Sequence, residues 1–143
     1  MDIESVQECL GIEFKDPNLL IEALTHSSNK NESEFDSNRS NEALAWLGDA
    51  LIDWVVSESI YSPGSTKGGL TKSRERKVNE IALADLAINL GLDKVLIIPE
   101  HRVLAGGRKN QKNLHTVYEA VVGAIYRDQG FESAKDFVVR TCI

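Results

Sequence analysis

The stretch Asn41 to Val56, NEALAWLGDALIDWVV, decides the reading of the whole chain. Its Leu44, Leu47, Leu51, Trp54 and Val55 recur at steps of three and four, the period of a helix with one apolar face. Ser40 or Asn41 is placed to cap it, and Pro63 with Gly64 to stop it, so the spacing predicts a long, central, buried helix. Acids interrupt the apolar run: Glu42, Asp49 and roughly Asp53 share a stripe on which Ala45 fills the remaining place. A carboxylate in such a run is costly to bury unless an ion or a hydrogen-bond partner compensates. Spacing alone leaves a divalent metal site and a structural carboxylate both open.

The flanking segments are also helical in pattern. Asp2 or Ser5 caps a short first helix ending at Gly11, and Asp16 with Pro17 opens a second through Leu20, Ala23 and Leu24. From Asn29 to Ser40 the chain is almost wholly polar and reads as a mobile loop. Downstream, LTKSRERKVNEIALADLAINLG reads as one helix capped by Thr71, with Ile81, Leu83, Leu86 and Ala87 buried and Gly91 at its end. LIIP is too short for more than a turn or a brief extended piece, and GGRKN with QKN forms a flexible basic connection. A further helix carries Val117, Ala120, Val121 and Ile125 on its apolar face, with Glu119 embedded among them, and FESAKDFVVRTCI supplies the last. No alternating strand pattern of useful length occurs, so the expected fold is all-α and a single domain over residues 1–143.

Composition bounds the function. The hydrophobic share of 42% and charged share of 27% are globular values, and no run is apolar enough to span a membrane. Cys9 and Cys142 lie near opposite ends without metal-ligand spacing, and no signal peptide opens the chain, which points to a reducing cytoplasm. The net charge of −6 argues against a polyanion partner, but its distribution does not. Residues 64–112 hold 10 bases and 5 acids, a local +5 between two acidic flanks. Such a segment is either a solvated basic face or a surface for nucleic acid.

NEALAWLGDALI, with LTHSS upstream, LTKSRERKVNEIALADLAINLGL in the middle and YEAVVGAIYRDQG downstream, resembles the endonuclease domain of the ribonuclease III family. The match runs in order from about Leu10 to Phe137. The resemblance implies an α-helical homodimer that holds Mg2+, with Mn2+ able to substitute, and hydrolyses double-stranded or structured RNA, such as a ribosomal RNA precursor. It makes Asp49 and Glu119 the catalytic metal ligands, with Glu42 the acid that opens the signature helix. Asp53 and Thr116 become supporting groups that hold or orient water, and Trp46 an aromatic anchor for the partner subunit. Trp54, Tyr118, Phe131 and Phe137 read as core.

Two positions depart from the principal members, which carry LEFLGD and an aspartate three residues before the late glutamate. Here Ala45 and Thr116 stand in those places. The Mini-ribonuclease III branch, with LAYIGDA and TAFEAL, has Ala and Thr at the same two positions and an acid matching Asp53. Two expectations follow: a nuclease with a reduced metal site, or a catalytically silent dimer that binds RNA or a ribosomal partner. Lys67, Lys72, Arg74, Arg76 and Lys77 on one side, and Arg108, Lys109 and Lys112 on the other, are the candidate RNA contacts. An appended double-stranded-RNA-binding domain is not expected before Ile143, so affinity would come from this domain, its dimer or a partner. His26 reads as a structural hydrogen-bonding group, and His101 and His115 as lacking a partner at metal spacing.

Overall fold

The computed structural model describes residues 2–29 and 39–143. The polar stretch read as a loop lies mostly outside the described residues. Helices α1 (Ile3–Leu10) and α2 (Pro17–Leu24) begin where expected. The Asp2 side chain accepts a hydrogen bond from the Ser5 N–H at 2.8 Å, and Asp16 accepts from the Asn18 N–H, each satisfying an orphan donor of a first turn. Helix α3 (Glu42–Ile60) starts after Asn41, whose side chain makes no capping bond; the Ser40 hydroxyl accepts weakly from the Glu42 N–H at 3.4 Å.

The long helix expected from Leu70 to Gly91 is two helices, α4 (Lys67–Val78) and α5 (Glu80–Asn89). Thr66, not Thr71, caps α4 by accepting from the Gly69 N–H. Asn79 breaks the run: its backbone closes α4 while its side-chain oxygen accepts from the Ala82 N–H at 2.9 Å and opens α5. The turn changes which face is buried, so Ile81 is 60% exposed rather than core. Short helices α6 (Leu92–Val95) and α7 (Glu100–Leu104) follow, then α8 (Gln111–Gln129) and α9 (Phe131–Cys142). Asn110 caps α8 through the Asn113 N–H, which places Gln111, Lys112 and Asn113 in its first turn instead of in a flexible connection. The LIIP piece makes one isolated parallel bridge, Thr25 with Ile97.

The central helix is α8, not α3. Val117, Tyr118 and the run from Ala120 to Ile125 are fully enclosed, and α8 packs against α2, α3, α5 and α9. Helix α3 buries one face only, through Leu44, Ala45, Gly48, Ile52, Val55 and Val56. Trp54, expected in the core, is 51% exposed and meets Phe131 edge to face at 5.3 Å. Tyr118 and Phe137 are core as expected, stacked at 6.0 Å. Cys9 and Cys142 are free thiols. No described helix is long and apolar enough to cross a membrane.

Candidate functional site

The site forms where α3 crosses α8, and two glycines set the distance. A Cβ on Gly48 would sit 1.8 Å from the Glu119 carbonyl oxygen, and one on Gly123 would sit 2.1 Å from the Leu44 carbonyl oxygen. Each helix therefore lays its backbone directly on the other, an approach that only residues without a Cβ permit. Asp49 and Glu119 flank those contacts, near enough for the Asp49 carboxyl to act on that of Glu119. Two carboxylates at that distance cannot both carry full charge without compensation.

Glu119 shows the consequence. It is 6% exposed, and burial pushes its pKa up to about 9, helped by the shared hydrogen bond and the charges of Asp49 and Asp53. Asp53, one turn further along α3, is also raised, mainly by desolvation and then by Asp49, with Arg74 working against both. Arg74 reaches this region from α4 and donates to the Ser57 hydroxyl at 2.8 Å. Glu119 is thus a carboxyl that holds its proton at the edge of the core, and a divalent cation with oxygen preference would take the place of that proton beside Asp49.

A group that sequence reading set aside stands beside it. His115, one turn before Glu119 on α8, places Nε2 at 3.6 Å from Glu119 Oε2. Burial lowers the His115 pKa, while the charges of Glu80 and Asp49 pull it back up. The acid at the start of α5 thus reaches the site from a third helix. The i, i+4 spacing of His115 and Glu119 was the signal available for the first; nothing local marked Glu80. Among the described residues no group of three or more His, Cys, Asp or Glu side chains is placed to hold a metal ion.

Glu42 and Thr116 line an open cleft of about 520 Å³ together with His26, Arg102, Lys112 and Asn113. His26 is spent structurally, as expected: Nδ1 meets the Ser28 hydroxyl at 2.7 Å and Nε2 the Asn113 side-chain oxygen at 3.0 Å. Ala45 is buried, so the missing acid is replaced by packing. Trp46 points away from the core and is 79% exposed.

The basic candidates divide. On α4, Lys72 and Arg76 are exposed, while Arg74 and Lys77 are half-buried. Arg108 is committed to the fold, donating to the backbone oxygens of Leu96 at 2.7 Å and Asp93 at 3.2 Å. Lys109 pairs with buried Asp93 at 3.0 Å. Lys112 lines the cleft beside Glu42.

With this geometry in place, comparison with known proteins is specific. The Ribonuclease-III-like family model matches residues 16–143. Ribonuclease 3 of Bdellovibrio bacteriovorus is 42% identical over 137 residues, covering 94% of this chain and 58% of that protein. Ribonuclease 3 of Treponema pallidum is 36% identical over 141 residues, covering 96% of this chain and 56% of that protein. The chain therefore spans somewhat more than half the length of these curated relatives. The nuclease domain of Ribonuclease III from Campylobacter jejuni, in a structure concerned with flexibility in a region involved in its dimer formation, superimposes with a TM-score of 0.90. It is 37% identical, and the match covers 99% of this chain and 96% of that one. An all-α chain whose two embedded acids meet at a helix crossing, and whose length aligns with these nucleases, belongs to the ribonuclease III family.

Proposed function

We propose that this chain is an Mg2+-dependent endoribonuclease that hydrolyses phosphodiester bonds in double-stranded or structured RNA, acting in the cytoplasm as a homodimer on precursors such as those of ribosomal RNA. The observation that carries the reading is the buried Glu119 carboxyl held against Asp49 at the α3–α8 crossing. The relatives named Ribonuclease 3 and the fold they share support the RNA substrate and the dimer, with exposed Trp46 as the anchor toward the partner subunit.

Asp49 and Glu119 would hold the ion. When bound, a divalent ion stabilises charge on the phosphate and lowers the pKa of a coordinated water. The chain's own groups do the rest. Burial of Glu119 keeps its carboxyl fixed and dry; Asp53 holds a second negative charge one turn away, and Arg74 moderates it. Glu42 and Thr116 present a carboxylate and a hydroxyl to water in the adjoining cleft. Lys72, Arg74, Arg76, Lys77 and Lys112 are proposed to meet RNA phosphates, with Arg108 and Lys109 shaping the turn that positions Lys112. The 143 residues are read as one such domain.

Ala45 and Thr116 favour a second reading, a catalytically silent dimer that binds RNA or a ribosomal partner, because two carboxylates expected of the principal members are absent. Incubating the purified chain and its Asp49→Asn variant with duplex RNA and Mg2+ separates the two. Cleavage by the parent, reduced at least about 100-fold in the variant, is expected. An intact substrate at high enzyme excess sinks the nuclease reading, and equal cleavage by both proteins sinks the assigned site.

A further inference from the structure

We infer that the cleft at the start of α3 and α8 is a phosphate subsite for the RNA backbone, in which the Asn41 side-chain amide and the Arg102 guanidinium donate to one phosphate near the bond that is cut. The inference rests on the nuclease reading and extends it to two residues outside the acidic centre. Three observations carry it. The first is an unspent donor: Asn41 is 2% exposed and lines the cleft, and its Nδ2 has no hydrogen-bond partner. Its backbone is fixed, the N–H donating to the Thr25 oxygen at 2.8 Å and the carbonyl accepting from the Ala45 N–H at 2.9 Å. As the N-cap of α3 its side chain makes no capping bond, so the amide is not spent on the helix. A buried donor without a partner is costly, and an acceptor arriving in the cleft removes that cost.

The second is the field in the cleft. Helices α3 and α8 are each 19 residues long and both begin here: Asn41 and Glu42 open the first, and Lys112 and Asn113 lie in the first turn of the second. Each helix turns the positive end of its dipole toward an anion placed there. Arg102 and Lys112 add two exposed cations, and neither forms an ion pair among the described residues. Glu42 is the one carboxylate on the lining, so the cleft is net positive on a chain of net charge −6. His26, Ser28 and Asn113 are bonded to one another and frame the cleft.

The third is position. Thr116 on the cleft wall stands three residues before Glu119 on α8, and Glu42 stands seven before Asp49 on α3. By helix rise these steps span roughly 5 and 10 Å, so a phosphate held in the cleft lies within a few nucleotides of one placed at the acids. A volume of about 520 Å³ accommodates a phosphate with its flanking sugars. Asn41 and Arg102 are thus positioning residues, which hold the strand in register through its backbone and touch no reacting group.

Duplex RNA binding by the full chain without divalent ion, measured by fluorescence anisotropy across a salt series, tests this together with cleavage kinetics in Mg2+. Asn41→Leu should weaken binding about tenfold with an unchanged salt slope, and its urea midpoint should not fall, because the lost donor is neutral and has no protein partner. Arg102→Ala should weaken binding about tenfold and lower the salt slope by about one. In both, KM for RNA should rise while kcat stays within about twofold. Lys94→Ala, exposed and off the cleft, should change none of these. Arg102 is exposed, so its variant keeps the core intact and the test decisive should Asn41→Leu fold poorly. Binding and cleavage by both variants at the parent's values overturn the inference and leave the nuclease reading standing. Unchanged RNA binding in both, with inorganic phosphate alone shifting the Asn41 side-chain amide resonance, marks a site for free phosphate and also overturns it. A parent that neither binds nor cuts duplex RNA overturns both.

Discussion

Glu42 and Asp49 sit two helical turns apart on one stripe of α3, yet they face different surroundings. Asp49 is exposed where α3 crosses α8, beside buried Glu119, whose carboxyl burial drives to hold its proton far above its usual range. Glu42 lines an open cleft with Lys112 and Asn113. Two exposed carboxylates on the same helix face thus have different neighbours, a buried carboxyl beside one and an open cleft beside the other. Gly48 and Gly123 bring the α8 backbone onto α3 between Leu44 and Gly48, and Asp49 borders the Glu119 side of that contact.

The contrast breaks most severely if the crossing is forced apart. Gly48→Ala drives a methyl into the Glu119 carbonyl, so destabilisation of about 3 kcal/mol or more is expected in urea unfolding. Glu42→Ala in the open cleft should shift the same midpoint by under about 0.5 kcal/mol. A benign Gly48→Ala would show that the helices can separate without cost, and the account of buried Glu119 beside Asp49 would fail with it.

A smaller effect distinguishes the two basic regions. Arg108→Ala removes two hydrogen bonds to backbone oxygens and should cost about 1 to 3 kcal/mol of stability. The double variant Lys72→Ala, Arg76→Ala should leave stability within about 0.5 kcal/mol. It should instead weaken duplex RNA binding and flatten its dependence on salt. Binding measured across a salt series would contradict this division if Arg108→Ala, and not the α4 variant, changed the salt slope.

How much of this was legible in the sequence follows from the range of the interactions involved. The caps at Asp2 and Asp16, the apolar face of α8 and the placement of Asp49 and Glu119 in apolar helices are local, so side-chain period and capping chemistry disclose them. The break at Asn79 was missed: an asparagine before Glu80 can cap a new helix, but the helical propensity around it masked that signal. Convergence of the two acids was not legible from spacing. It depends on a contact between helices far apart in sequence, and the family resemblance, not the periodicity of α3, pointed to it. His115 was overlooked because metal spacing was sought among histidines, whereas its partner is a glutamate one turn away. Exposed Trp54 and Ile81 show the remaining limit: an apolar residue at helical spacing does not say which neighbour, if any, covers it.

The central claim is that the Asp49–Glu119 pair is an ion site and not a carboxyl pair kept for structure. Because the folded pKa of Glu119 is raised from 4.5 to about 9, the ion-free fold retains a proton that the unfolded chain releases within that window. Stability should therefore be greatest at the acid end and decline as pH rises toward 9. Thermal unfolding of the parent and of Glu119→Gln at pH 6 to 9, each with and without a divalent ion, tests this directly. The account predicts that the ion-free parent loses stability with rising pH and recovers it when Mg2+ or Mn2+ is added. Glu119→Gln should be flatter with pH, about 1 to 3 kcal/mol more stable than the ion-free parent at the alkaline end, and indifferent to the ion. An ion that stabilises both proteins equally, or neither, would contradict it.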